Sequence, residues 1–106
     1  MTNQRDALAN MKRSLETCMD DWKMMQQTEG DEGAEWAERF ERHFYLFIDD
    51  FKEWFYMLEA PPQSIESLEK MEEVKEIHSL LPGPLQLNFM IEMEEIIDSL
   101  DTKRFD

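Results

Sequence analysis

Residues 34–59 read AEWAERFERHFYLFIDDFKEWFYMLE, and the periodicity of this stretch decides the fold. At the 100° per residue of an α-helix, Trp36, Phe40, Phe44, Phe47, Phe51, Trp54, Phe55 and Leu58 fall within one sector of roughly 100°. The opposite face carries Glu38, Glu41, Arg42, Asp49 and Glu53. Glu35 and Arg39, and Glu38 and Arg42, stand four residues apart with the acid first, the better orientation for a helical ion pair. Nine of the twelve aromatic residues lie between Trp36 and Tyr56, so this segment predicts the core helix.

On its N-terminal side, Thr28-Glu29-Gly30-Asp31-Glu32-Gly33 interrupts the pattern, with two glycines in six residues. It predicts a connection between antiparallel helices, with Asp31 able to cap the second. Before it, Leu8, Met11, Leu15, Cys18, Trp22 and Met25 recur at spacings of three and four, which predicts a first helix over 3–28 capped by Asn3 or Thr2. On the C-terminal side, Ala60-Pro61-Pro62-Gln63 stops the core helix. Ser64 is placed to cap a third helix over 65–81, whose apolar positions are Leu68, Met71, Val74, Ile77 and Leu81. Pro82-Gly83-Pro84 breaks it, and a fourth helix is expected over 85–100 through Leu85, Phe89, Met93, Ile96, Ile97 and Leu100. Leu85, Leu87, Phe89 and Ile91 also alternate as a strand would. Continuation of the helical spacing to Leu100 favours helix. Residues 101–106 read as a frayed tail.

The expected fold is therefore all-α: one domain over 1–106, an antiparallel up-down-up-down four-helix bundle with two long and two shorter helices. A 106-residue chain with 42% apolar residues can bury one modest core without a disulfide or a metal. The single cysteine, Cys18, cannot form an internal disulfide and reads as a small buried hydrophobe. No signal peptide and no run of transmembrane length is visible, so the expected location is the cytoplasm.

The net charge is −14. Phosphate neutralisation needs clustered Lys and Arg, which argues against direct nucleic-acid binding, and an anionic membrane is disfavoured for the same reason. Residues 1–28 are neutral, with four acidic and four basic groups, whereas residues 29–60 hold ten acidic and three basic groups. A basic partner suits such a surface, and simple solubility is the plain alternative. Acidic runs can also imitate nucleic-acid phosphate, as DNA-mimic inhibitors do.

No catalytic constellation is coherent. Neither His43 nor His78 has a Glu three residues before it, as a di-iron carboxylate bundle requires. Zinc, calcium and phosphate-loop motifs are missing, and no cofactor is expected. The acids Glu72-Glu73-Val74-Lys75-Glu76, followed by Glu95-Ile96-Ile97-Asp98, do resemble the Glu-Glu-x-x-Glu and Glu-x-x-Asp motifs of all-α nucleoside triphosphate pyrophosphohydrolases, the MazG-like family. The resemblance covers residues 72–98. It implies that Glu73, Glu76, Glu95 and Asp98 bind magnesium, which activates a water against a phosphoanhydride. On the helical wheel, Glu73 and Glu76 lie opposite Leu68, Met71 and Val74, and Glu95 and Asp98 lie away from Phe89, Met93 and Ile96.

The sequence thus ranks a non-enzymatic adaptor, regulator or inhibitor first and the pyrophosphohydrolase second. Two groups of partner-binding residues are expected. Tyr45 and Tyr56 stand three turns apart on the polar side of the core helix, a residue type favoured at interfaces. Trp22, Met24, Met25, Trp36 and Phe40 cluster at the Gly30–Gly33 end of the first hairpin. The shorter third and fourth helices would leave that end uncovered, as a homodimer contact or a partner site.

Overall fold

The computed structural model describes residues 3–104, with side chains as far as Leu100. Among these residues the protein is all-α, without strands. It has five helices rather than four, in two compact units, Met1–Glu59 and Ala60–Asp106. No described helix is long and apolar enough to cross a membrane.

The first unit is a helical hairpin. Helix α1 spans Gln4–Gln27, and the Asn3 side chain caps it by accepting the Asp6 N–H at 2.9 Å. Only Thr28 and Glu29 separate it from α2, Gly30–Tyr56. The turn is tighter than the expected Thr28–Gly33 connection, and α2 begins four residues early. Two glycines permit this. Gly30 takes a φ of +62°, which a side chain would strain. A Cβ on Gly33 would sit 3.3 Å from the Thr28 carbonyl oxygen. Asp31 is therefore not the cap but lies with Glu32 inside the first turn, where carboxylates complement the helix dipole.

The two helices run antiparallel and pack closely. Ala7, Met11, Leu15 and Cys18 are buried from α1, and Phe44, Phe47, Ile48, Phe51, Trp54 and Phe55 from α2. Leu8, Trp22, Met25, Trp36, Phe40 and Leu58, read as part of the stripes, are only half-buried. Met57 caps α2 two residues before the predicted end.

In the second unit the expected 65–81 helix is two helices, α3 (Ile65–Glu69) and α4 (Glu72–Leu80). Ser64 caps α3 as expected, its hydroxyl oxygen accepting the Ser67 N–H at 3.2 Å. The break falls at Met71, whose backbone is extended (φ −67°, ψ 138°), with no glycine or proline nearby. Leu68 and Ile77 are nine residues apart, about 180° on a straight helix, and would point in opposite directions without the break. Both are buried here.

Helix α5 spans Gly83–Arg104. It starts two residues early, on the Pro82 carbonyl, which accepts N–H groups from Leu85 and Gln86. The Gln86 amide reaches back to the His78 and Leu81 carbonyls, satisfying the C-terminal end of α4. Residues 85–91 are helical, which removes the strand alternative: Leu85 and Phe89 are buried while Leu87 and Ile91 are exposed. The helix also continues through 101–104 where a frayed tail was expected; residues 105–106 lie outside the described residues.

Candidate functional site

The outer face of α2 is the most distinctive surface. Tyr45 and Leu46 are each 53% exposed and Tyr56 44%. Around them stand the exposed carboxylates of Glu38, Glu41, Asp49 and Glu53. Glu38, Glu41, Arg42 and Tyr45 together line a shallow depression of about 390 Å³. The helix puts them there because Tyr45 and Tyr56 lie nearly opposite the buried Phe44–Phe47–Phe51–Trp54 stripe. Across α2 eight acidic residues face three basic ones, Arg39, Arg42 and Lys52.

The hairpin-end residues behave differently. Trp22, Met24, Met25, Trp36 and Phe40 are half-buried. Trp22 packs on Phe40 with ring centroids 5.3 Å apart, and Phe40 stacks on Phe44 at 5.9 Å. The Arg39 guanidinium lies 4.8 Å from the Trp36 ring centroid, a cation–π contact. Part of the apolar surface expected to be open is thus covered by local contacts.

A polar seam that sequence reasoning missed flanks the α1–α2 core. Asp21, 5% exposed, is the one buried charged residue among those described, and its carboxylate meets His43 Nδ1. Seven residues before Asp21 on α1, and seven after His43 on α2, the Ser14 hydroxyl donates to Asp50. The two contacts are rungs of an antiparallel ladder, one heptad apart. Ser14 and His43 line one shallow depression of about 250 Å³ with Arg13, Thr17 and Leu46, each held by a carboxylate, Asp50 and Asp21 respectively. The signal was present in the i, i+7 recurrence of polar residues on each helix, but only after the register is known does it become visible.

Cys18 lies between these rungs and is fully buried. Burial pushes its thiol from 9.0 up to about 12, and the nearby Asp21 carboxylate adds to the shift. The thiolate is the reactive form, so Cys18 is expected to resist iodoacetamide at pH 8 in the folded protein and to react at ordinary rates in denaturant. Fast labelling without denaturant would mean that the α1–α2 seam opens. The sign for stability follows. An unfolded thiol ionises near 9.0, whereas the folded one stays protonated until about 12. Its contribution is complete below pH 9 and is lost as the pH rises towards 12.

The chain matches no protein family, no curated protein and no solved structure.

The second unit holds the acids that resemble the pyrophosphohydrolase motifs. Glu76, Glu95 and Asp98 are exposed and Glu73 half-buried. Among the described residues, no three His, Cys, Asp or Glu side chains gather closely enough to hold a metal ion. Glu73, Glu76, Glu95 and Asp98 are thus not gathered three together at one point. A half-open cleft of about 310 Å³ lies instead beside Val74, His78, Met90 and Met93, with Glu69, Lys75 and Ser79 at its rim.

Proposed function

We propose that this chain is a non-enzymatic protein–protein interaction module, an adaptor, regulator or inhibitor, whose acidic surface receives a basic partner. The observation that carries the reading is the outer face of α2, where Tyr45, Leu46 and Tyr56 stand exposed among carboxylates. A solubilising face needs charge but no exposed aromatic rings. Tyr buries large area at low conformational cost, and neighbouring carboxylates select a cationic counterpart and speed its approach. The hairpin end carries less of this reading, because Trp22 and Trp36 already have ring and guanidinium contacts within the hairpin.

The experiment is affinity capture from the native host with two baits, wild type and Glu38→Lys/Glu41→Lys, read by quantitative mass spectrometry. The expected result is one or a few basic proteins enriched on the wild-type bait, lost on the charge-reversed bait, and eluted as salt is raised from about 50 to 300 mM, where screening becomes strong. Identical recovery on both baits, or elution indifferent to salt, would reduce the acids to a solvating role.

A further inference from the structure

The outer face of α2 carries two similar groups, each a tyrosine with a carboxylate seven residues before it, which we call stations; they differ in that Leu46 is exposed whereas Met57, the C-cap, is half-buried. Glu38 precedes Tyr45 by seven residues, and Asp49 precedes Tyr56 by seven. Each tyrosine is followed by an apolar residue, Leu46 or Met57. A second carboxylate adjoins the first at each station, Glu41 beside Glu38 and Glu53 beside Asp49, at the three- and four-residue spacings that make side chains neighbours on a helix. One basic residue accompanies each pair, Arg42 or Lys52, so each station keeps a net negative charge. The stations are eleven residues apart. Eleven residues is about three turns, about 16 Å along the axis with a rotation of only about 20°.

We propose that this face docks an amphipathic helix of the partner carrying two arginines eleven residues apart, one for each station. The inference rests on the basic-partner reading above and makes it specific. Arginine fits better than lysine because its planar guanidinium can bond two adjacent carboxylates and lie over a tyrosine ring. A helix fits better than an extended peptide because of the spacing. In a strand, about 16 Å corresponds to five residues, and residues five apart point to opposite faces. In a helix, residues eleven apart share a face. Two helices crossing at a shallow angle can therefore bring both arginines to both stations, with the partner's apolar residues against Leu46 and the tyrosine rings. A second copy offering the same face of α2 is a poor occupant, since it would present the same carboxylates; arginine rather than lysine separates the partner from the α1 face of a second copy, whose Lys12 and Lys23 are also eleven apart.

The test uses the full chain and two synthetic 22-residue helical peptides of identical composition, with leucines along one face. One carries its two arginines eleven residues apart, the other nine apart, which places them on opposite faces. Binding is measured by fluorescence anisotropy at low and moderate salt. The eleven-spaced peptide is expected to bind at least about tenfold more tightly, and Tyr45→Ala and Tyr56→Ala each to weaken it about fivefold. Each tyrosine ring also meets a buried phenylalanine edge-on, Phe44 or Phe55, so thermal melting of each variant is run alongside and binding is compared well below both transitions. Equal binding of the two peptides, with the same salt dependence, overturns the two-station geometry while leaving the basic-partner reading standing. Failure of both peptides at low salt overturns both. Concentration-dependent dimerisation that disappears in Tyr45→Ala assigns the face to a second copy and overturns the helix proposal.

Discussion

Trp54→Ala is expected to lower the stability of the chain by about 3–5 kcal/mol, the cost of deleting a fully buried large aromatic. Trp54 is the largest of the fully buried side chains, and its ring lies 5.7 Å from that of Phe51. A domain of this size has about 5–15 kcal/mol in total, so the variant sits near the threshold of folding. Trp54→Phe separates volume from polarity. The indole Nε1 is buried and finds no acceptor among the described residues. A buried donor without a partner costs about 1–3 kcal/mol, which phenylalanine removes while leaving only a small void. The expected change for Trp54→Phe is within about 1 kcal/mol of wild type, of either sign. Urea unfolding followed by far-UV circular dichroism reads both. A loss for Trp54→Phe as large as that for Trp54→Ala would mean that the indole N–H is satisfied after all.

His43→Ala is expected to cost about 2 kcal/mol, within the range of about 1–3 kcal/mol for leaving a buried polar group without its hydrogen-bond partner. The loss arises on the other side of the contact. Without His43, the Asp21 carboxylate stays enclosed between α1 and α2 beside the buried Cys18 thiol, with its partner gone. Asp21→Asn removes that charge and leaves an amide of the same shape, so the expected cost is smaller, under about 1 kcal/mol. The double variant should be little worse than Asp21→Asn alone, since a neutral residue at 21 no longer needs His43. The ordering of the two single variants is the discriminating result. If Asp21→Asn proves the more damaging, the carboxylate is held by something other than the histidine.

Local pattern carried most of the fold. The 100° aromatic sector of residues 34–59, the Thr28–Gly33 interruption and the two proline breaks placed α1, α2 and α5 to within a few residues, because helical periodicity and backbone chemistry act over short range. The same wheel placed Tyr45 and Tyr56 on the outer face of α2, where the structure leaves them exposed. It also turned Glu76, Glu95 and Asp98 away from apolar positions, and these three are exposed.

What needed the tertiary structure is what depends on register and on competition for a shared core. Nothing local marks Met71 as a break. With the break, Leu68 and Ile77, which a straight helix points in opposite directions, are both buried. Asp21 and His43 are 22 residues apart, and Ser14 and Asp50 are 36. Their pairing exists only once the two-residue turn at Thr28–Glu29 sets the antiparallel register, so no window along the sequence could contain it. Burial of Cys18 was legible from its place in the stripe. The rise of its thiol to about 12 was not, because that depends on which neighbours the fold brings close, Asp21 among them. Sequence by itself determined that the chain is helical, where most of its helices lie, and that the acidic face of α2, with Tyr45 and Tyr56, is opposite its Phe and Trp stripe, all properties of spacing along one chain. The tertiary structure alone decided the α1–α2 polar seam and the division of the third segment into α3 and α4, because both depend on distances between residues that only folding brings together.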